Sequence, residues 1–291
     1  MAMPNGIGVI DAMMSIPPEP GDMSWLEALR PLLRDEESLS TFKFPAEYMF
    51  KNLPAARFAA DAVSAVLHEM DRFGVERTMI GVSFDNDRAI GALRAHHERF
   101  FGSYEVDPNL GAVGVRDVRR AVEELDVRAA TAFPSGTFPQ VSVDDPRWYP
   151  LYQACIDLGV PICICLGVPG PRIPAAPQEV MRIDEVCYRF PELTVVTRHG
   201  CEPWTALAVK LLLKWPNLYY STSAFAPKHY PPDIVEFANT RGADKVLYAG
   251  YFPMGLSLET IFSQLPAVPF REHVCPKFLR ENAQRVFRLD G

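Results

Sequence analysis

An α/β fold of the (β/α)8 barrel class is what this sequence predicts, and three observations predict it. Short β-rich apolar runs recur eight times, helical periodicity separates them, and 291 residues is about the length of one such barrel. The runs are apolar almost throughout, as expected of parallel strands covered on both faces. An open doubly wound sheet is the alternative arrangement of the same alternation.

In chain order, strands are predicted near 7–11 (IGVID), 76–82 (ERTMIGV), 100–106 (FFGSYEV), 127–133 (VRAATAF), 160–165 (VPICIC), 192–198 (ELTVVTR), 217–222 (NLYYST) and 245–249 (KVLYA). Helices are predicted between them at 57–74, 86–97, 113–126, 144–159, 178–190, 204–215 and 231–241. The stretch VRDVRRAVEEL shows the pattern, with Val115, Val118, Ala121, Val122 and Leu125 on one face. After the first strand, 15–56 is too long for an ordinary connection, and its aromatics and prolines predict an ordered cap over the barrel mouth. At the other end, 275–287 (CPKFLRENAQRVF) predicts a closing amphipathic helix with Phe278, Leu279, Val286 and Phe287 inward. The whole chain, 1–291, is expected to form one domain.

Composition narrows the function. The formal charge is −7, with Lys and Arg scattered among the acids, so no basic stripe points to nucleic acid. No apolar run reaches a membrane span, and the first residues lack the pattern of a secretory signal, so a soluble cytoplasmic protein is expected. Six cysteines fall mostly inside apolar runs rather than at framework spacings and read as reduced thiols. Prolines after several strands (Pro108, Pro134, Pro169, Pro253) stiffen loops at the end of the barrel where enzymes of this class keep their sites.

HGCEPW after the sixth strand, NLYYSTSA at the seventh, GADKVLYAGYFPM at the eighth, PKFLRENAQRVF at the end and DDPRWYPLYQACIDLGVPICI in midchain resemble the amidohydrolase-related TIM-barrel family, of the amidohydrolase 2 type. The resemblance covers most of residues 6–288 and implies a metal-dependent hydrolase or an aromatic-acid decarboxylase. It also implies metal ligands: two histidines past the first strand, a histidine or lysine-supported ligand around the fourth and fifth, a histidine after the sixth and an aspartate after the eighth. Here Met13 and Ser15 stand at the first pair, Cys165 at the strand-five histidine and Tyr251 at the aspartate; only His199 matches. Met, Ser and Tyr do not assemble a site for a hard divalent ion, so a divergent branch without the usual metal, and with no other cofactor, is expected.

Candidate catalytic residues follow from the same positions. Two ligands of one ion lie close together, so Cys165 and His199 could form a thiolate–imidazole dyad, against the ordinary reading of a buried cysteine that only fills space. Tyr251 could donate to an oxyanion, or be a packed aromatic beside Tyr248 and Phe252. Asp11 ends the first strand and could orient a neighbour or act as a base. For substrate binding, Glu105 ends the third strand with Asp107 at matching parity, one of them expected to cap the Asp-Pro-Asn turn. Ser221 and Ser223 share a parity on the seventh strand, and Phe133 would line an apolar or aromatic pocket. Arg198 and Glu202 flank His199; alternation points Arg198 away from the lumen, while Glu202 could reach a substrate from the loop.

Three functions stay open at this level. One is a metal-free barrel enzyme that hydrolyses an ester, lactone or amide, or decarboxylates a small organic acid. Another is a non-catalytic ligand-binding or scaffold pseudoenzyme. The third is an enzyme with a metal relocated to His199. The expected partner is a small molecule, apolar or aromatic, with a homo-oligomer left open.

Overall fold

The computed structural model describes residues 7–17, 24–40, 49 and 60–289. Eight parallel strands follow one another in space as they do in sequence: β1 (Val9–Met14), β2 (Val75–Val82), β3 (Phe100–Glu105), β4 (Val127–Ala132), β5 (Ile162–Cys165), β6 (Val195–Arg198), β7 (Leu218–Ser221) and β8 (Val246–Leu247). The two ends of this sheet meet. Ala12 N donates to Tyr248 O at 3.1 Å, Tyr251 N to Met13 O at 3.0 Å and Ser15 N to Phe252 O at 3.1 Å, which closes a (β/α)8 barrel. Every predicted strand is present; β1 runs on to Met14 instead of stopping at residue 11, because these pairings to the chain after β8 hold it extended.

The outer layer is built from α3 (Ala62–Arg72), α4 (Asp87–Ala95), α5 (Ala112–Leu125), α6 (Tyr149–Leu158), α7 (Ile183–Arg189), α8 (Thr205–Lys214) and α9 (Pro232–Thr240). Their starts and stops follow side-chain chemistry. Asp61 accepts from Ser64 N at the head of α3 and Asn86 from Ala89 N at the head of α4. Gly159, at φ 66°, ends α6 in the left-handed conformation. A further helix, α10 (Leu258–Gln264), is absent from the sequence prediction; Ser257 caps it, accepting from Thr260 N.

Two apolar layers result. One fills the space between sheet and helices, with Val66, Val118, Trp148, Ile162 and Val195 among its buried members. The other fills the lumen with Ile10, Ala12, Met79, Phe101, Ala129, Cys163, Val196 and Leu247. A π-helical turn (Lys277–Glu281) and α11 (Asn282–Val286) bring Ala283, Val286, Phe287 and Leu289 against this lumen core, and Phe287 meets Phe101 with ring centroids 5.3 Å apart. The barrel floor is thereby sealed on the side where the strands begin. Any open lumen lies at their C-terminal ends.

The cap predicted over 15–56 falls partly outside the described residues, at 18–23, 41–48 and 50–56. Within the described part, α1 (Ser24–Leu29) and α2 (Glu36–Ser40) flank a short 3-10 turn (Arg30–Leu32). Arg172, in the loop after β5, donates to Asp35 at 2.8 Å and to Glu37 at 2.7 Å, tying this segment to the loops at the strands' C-terminal ends. Among the described residues no helix is long and apolar enough to cross a membrane.

Candidate active site

Register determines which side chains enter the mouth. Cys163 pairs with Val196 and Cys165 with Arg198. Paired residues of neighbouring parallel strands point to the same side. Since Cys163 and Val196 belong to the lumen core, Cys165 and Arg198 form the next lumen layer. This corrects the expectation that Arg198 points outward. The expected alternation assumed that β6 runs through His199, but the strand ends at Arg198 and the chain turns left-handed at His199 (φ 63°), Gly200 (φ 84°) and Cys201 (φ 59°). Both Arg198 and His199 therefore reach the mouth.

Arg198 is half-buried and has few partners. One terminal nitrogen, Nη2, lies 3.1 Å from Met13 Sδ, and the buried Nε has no hydrogen-bond partner. Among the described residues it forms no ion pair. Its charge acts on Glu105, Cys163, Cys165 and His199.

Glu105, at the tip of β3, is open to solvent at its end yet hemmed in by the walls of the mouth. Desolvation raises its carboxyl above the ordinary range; Arg198 opposes this and Asp107 adds to it. Asp107 itself accepts from Asn109 N at 2.9 Å and caps the turn.

His199 is fixed by Ser223. The hydroxyl of Ser223 accepts from His199 N at 2.9 Å and lies 3.3 Å from His199 Nδ1. Having accepted the backbone proton, the hydroxyl can turn its own hydrogen to Nδ1, which leaves Nε2 as the protonated ring nitrogen. Burial, with Arg198 beside it, lowers the ring's pKa to about 3, so the imidazole is neutral. Tyr251 meets it edge to face, with centroids 5.4 Å apart and planes at 78°.

Among the described residues no hydrogen bond joins Cys165 to His199. The Cys165 thiol is pushed up to about 11 by burial, with Arg198 lowering it and Glu105 raising it. The thiolate dyad thus lacks both its contact and its charge state. Ser221 donates to Thr197 O at 2.7 Å and so joins β7 to β6. Phe133 stands half-buried just past β4; Glu202 is exposed in the loop after β6.

Asp11 lies behind the mouth, fully buried. Its Oδ1 accepts from Met13 N at 2.8 Å and Gly250 N at 2.9 Å, clasping β1 to the chain after β8. Its Oδ2 lies with the Tyr248 hydroxyl under Gly250, neither in regular hydrogen-bond geometry; a Cβ at Gly250 would stand 2.5 Å from that Oδ2. Only glycine fits there. Desolvation raises the Asp11 carboxyl to about 7, against the two backbone donors and the nearby Tyr248 hydroxyl.

The amidohydrolase family profile matches residues 20–289, nearly the whole barrel. The chain belongs to the amidohydrolase family. No curated protein matches it in sequence. Among solved structures, this amidohydrolase barrel is similar to an uncharacterized TIM-barrel protein from Bordetella bronchiseptica, at 21% identity and a TM-score of 0.73 over 97% of this chain and 98% of that one. It is also similar to 5-carboxyvanillate decarboxylase from Novosphingobium aromaticivorans, complexed with manganese and 4-hydroxy-3-methoxy-5-nitrobenzoic acid, at 15% identity and a TM-score of 0.69 over 99% and 98%. A third is 4-oxalomesaconate hydratase from Rhodopseudomonas palustris, at 17% identity and a TM-score of 0.60 over 97% and 96%.

The manganese-bound neighbour overturns the expectation of an amidohydrolase barrel without a metal cofactor, which rested only on the substituted positions. The described residues of this amidohydrolase nevertheless gather no group of three or more His, Cys, Asp or Glu side chains able to hold an ion. Of the family's ligand positions, His199 alone keeps the expected residue, and one imidazole is too few ligands to fix a divalent ion.

Proposed function

We propose that this barrel is a lyase that moves a proton at a carbon atom next to a phenol, enol or carbonyl oxygen of a small organic acid, with decarboxylation as its net reaction. One observation carries the reading: a neutral His199 and Tyr251, ring against ring, at a mouth that also holds the Glu105 carboxyl. His199 Nε2–H and the Tyr251 hydroxyl are two donors for one developing oxyanion. Glu105 supplies the proton, its affinity for it raised by the desolvating walls.

In the forward step the bond between the ring or enol carbon and the carboxylate breaks. Glu105 first delivers its proton to that carbon, drawing electrons from the phenolate or enolate oxygen; as the bond to the carboxylate breaks, its electron pair restores the phenolate or enolate, whose charge His199 and Tyr251 stabilise, and carbon dioxide leaves. Phe133 offers an apolar wall for a ring. A hydrolase using Cys165 as nucleophile is less well supported, because the thiol is held protonated.

The test is the partial reaction. With 3-hydroxybenzoate in D2O, proton NMR should show enzyme-dependent exchange of a ring hydrogen beside the hydroxyl, lost in Glu105→Gln. Absence of exchange above the uncatalysed rate from the wild-type protein would sink the reading.

A further inference from the structure

The guanidinium of Arg198 is the least explained charge in the barrel. It is half-buried, its Nε is buried and unpartnered, and the nearest polar contact of Nη2 is a thioether, a weak acceptor. The groups whose electrostatics it influences are Glu105, Cys163, Cys165 and His199, of which Glu105 alone could carry a full negative charge. Among the described residues no ion pair joins Arg198 to Glu105. A cation withdrawn from water without a carboxylate is costly, and a planar guanidinium has the shape that a carboxylate meets with two parallel hydrogen bonds.

We propose that Arg198 is the anchor for a substrate carboxylate, bound through its guanidinium, and that this carboxylate is retained through the reaction. The second half follows from charge. A guanidinium stabilises a localised carboxylate more than the dispersed charge of a group departing as carbon dioxide, so pairing the departing group would raise the barrier. The anchored group must be a different one. The substrate class is then a small acid with one carboxylate on Arg198 and a reacting carbon beside His199 and Tyr251: a dicarboxylate for a decarboxylase. This assignment rests on the proposed lyase reading for the position of the reacting carbon, though carboxylate binding itself does not.

Calorimetric titration with benzoate and its neutral isostere benzamide tests the anchor. Benzoate should bind the wild-type protein, benzamide at least about tenfold more weakly. Arg198→Met should weaken benzoate about ten- to hundredfold and leave benzamide unchanged, with Arg198→Lys in between. The wild-type comparison stands even if Arg198→Met fails to fold. Equal binding of benzoate and benzamide, no benzoate binding, or a folded Arg198→Met that keeps full benzoate affinity would each overturn the anchor. In the exchange assay, Arg198→Met should raise KM for 3-hydroxybenzoate at least about tenfold more than KM for resorcinol, which has no carboxylate. A fall in kcat at unchanged KM would overturn retention. Arg198-dependent benzoate binding with no exchange of either phenol would fail the lyase reading and leave the anchor standing.

Discussion

His199 and Tyr251 meet edge to face at 5.4 Å, and each sits at a left-handed φ, 63° and 65°, just past the end of its strand. Non-glycine residues seldom hold that conformation, which costs of order 1 kcal/mol each, so the surrounding structure must enforce it. Ser223 does so for His199, and the pairing of Tyr251 N with Met13 O does so for Tyr251. Tyr251→Phe keeps the ring contact and removes only the hydroxyl. Its kcat in ring-hydrogen exchange should fall about a hundredfold; an undiminished kcat would remove Tyr251 from the chemistry.

Ser223 acts through His199. Ser223→Ala takes away the acceptor of His199 N and the partner of Nδ1, and should cost about 1–2 kcal/mol of stability in urea unfolding. A purely structural role would end there. A positioning role also shows in the ring: nitrogen NMR of His199 should show the proton on Nε2 in the wild type and a mixture of tautomers in the variant. A wild-type ring protonated at Nδ1 would refute the arrangement.

The barrel is legible in the sequence because eight runs bury both faces, a signal that spans whole segments. Single-residue geometry is not. Strand parity misplaces Arg198, since the left-handed turn at His199 leaves no mark in a hydrophobic pattern; yet the register partner of a lumen-facing Cys165 has to face the lumen too. The helix Leu258–Gln264 escapes prediction although Ser257, Leu258, Ile261 and Leu265 carry a cap and an apolar spacing, because it is barely two turns long. Asp107 is readable as a turn cap from Asp-Pro-Asn, where the side chain bonds its own backbone. The metal-free expectation fails by treating substituted positions as evidence of absence; a manganese-bound neighbour of the same architecture corrects it.

Lys245 is a half-buried hub for backbone carbonyls. Its ammonium donates to Leu212 O at 3.0 Å, to Leu218 O at 3.1 Å and to Trp215 O, where α8 gives way to β7. The Leu212 and Trp215 carbonyls sit at the negative end of the helix. Lys245→Met keeps the stem and strands the acceptors, and should lower stability by about 2–4 kcal/mol in urea unfolding. A loss under about 0.5 kcal/mol would mean that water satisfies them as well.

Asp11 gives the fold a pH dependence of defined sign. Its carboxyl titrates near 7 in the folded chain against an ordinary 3.8, so between those values the folded state keeps a proton that the unfolded state has released. Stability from this group is therefore fully present below about pH 4, declines as pH rises towards 7, and is level above it. At about 1.4 kcal/mol per pH unit the total is on the order of 4 kcal/mol. Asp11→Asn retains an oxygen for the Met13 and Gly250 amides and carries no charge, so its unfolding free energy minus that of the wild type should grow steadily from pH 4 to pH 7 and then plateau. A difference constant across that range would mean that Asp11 is ionised in the fold, its hydrogen-bond donors outweighing its burial.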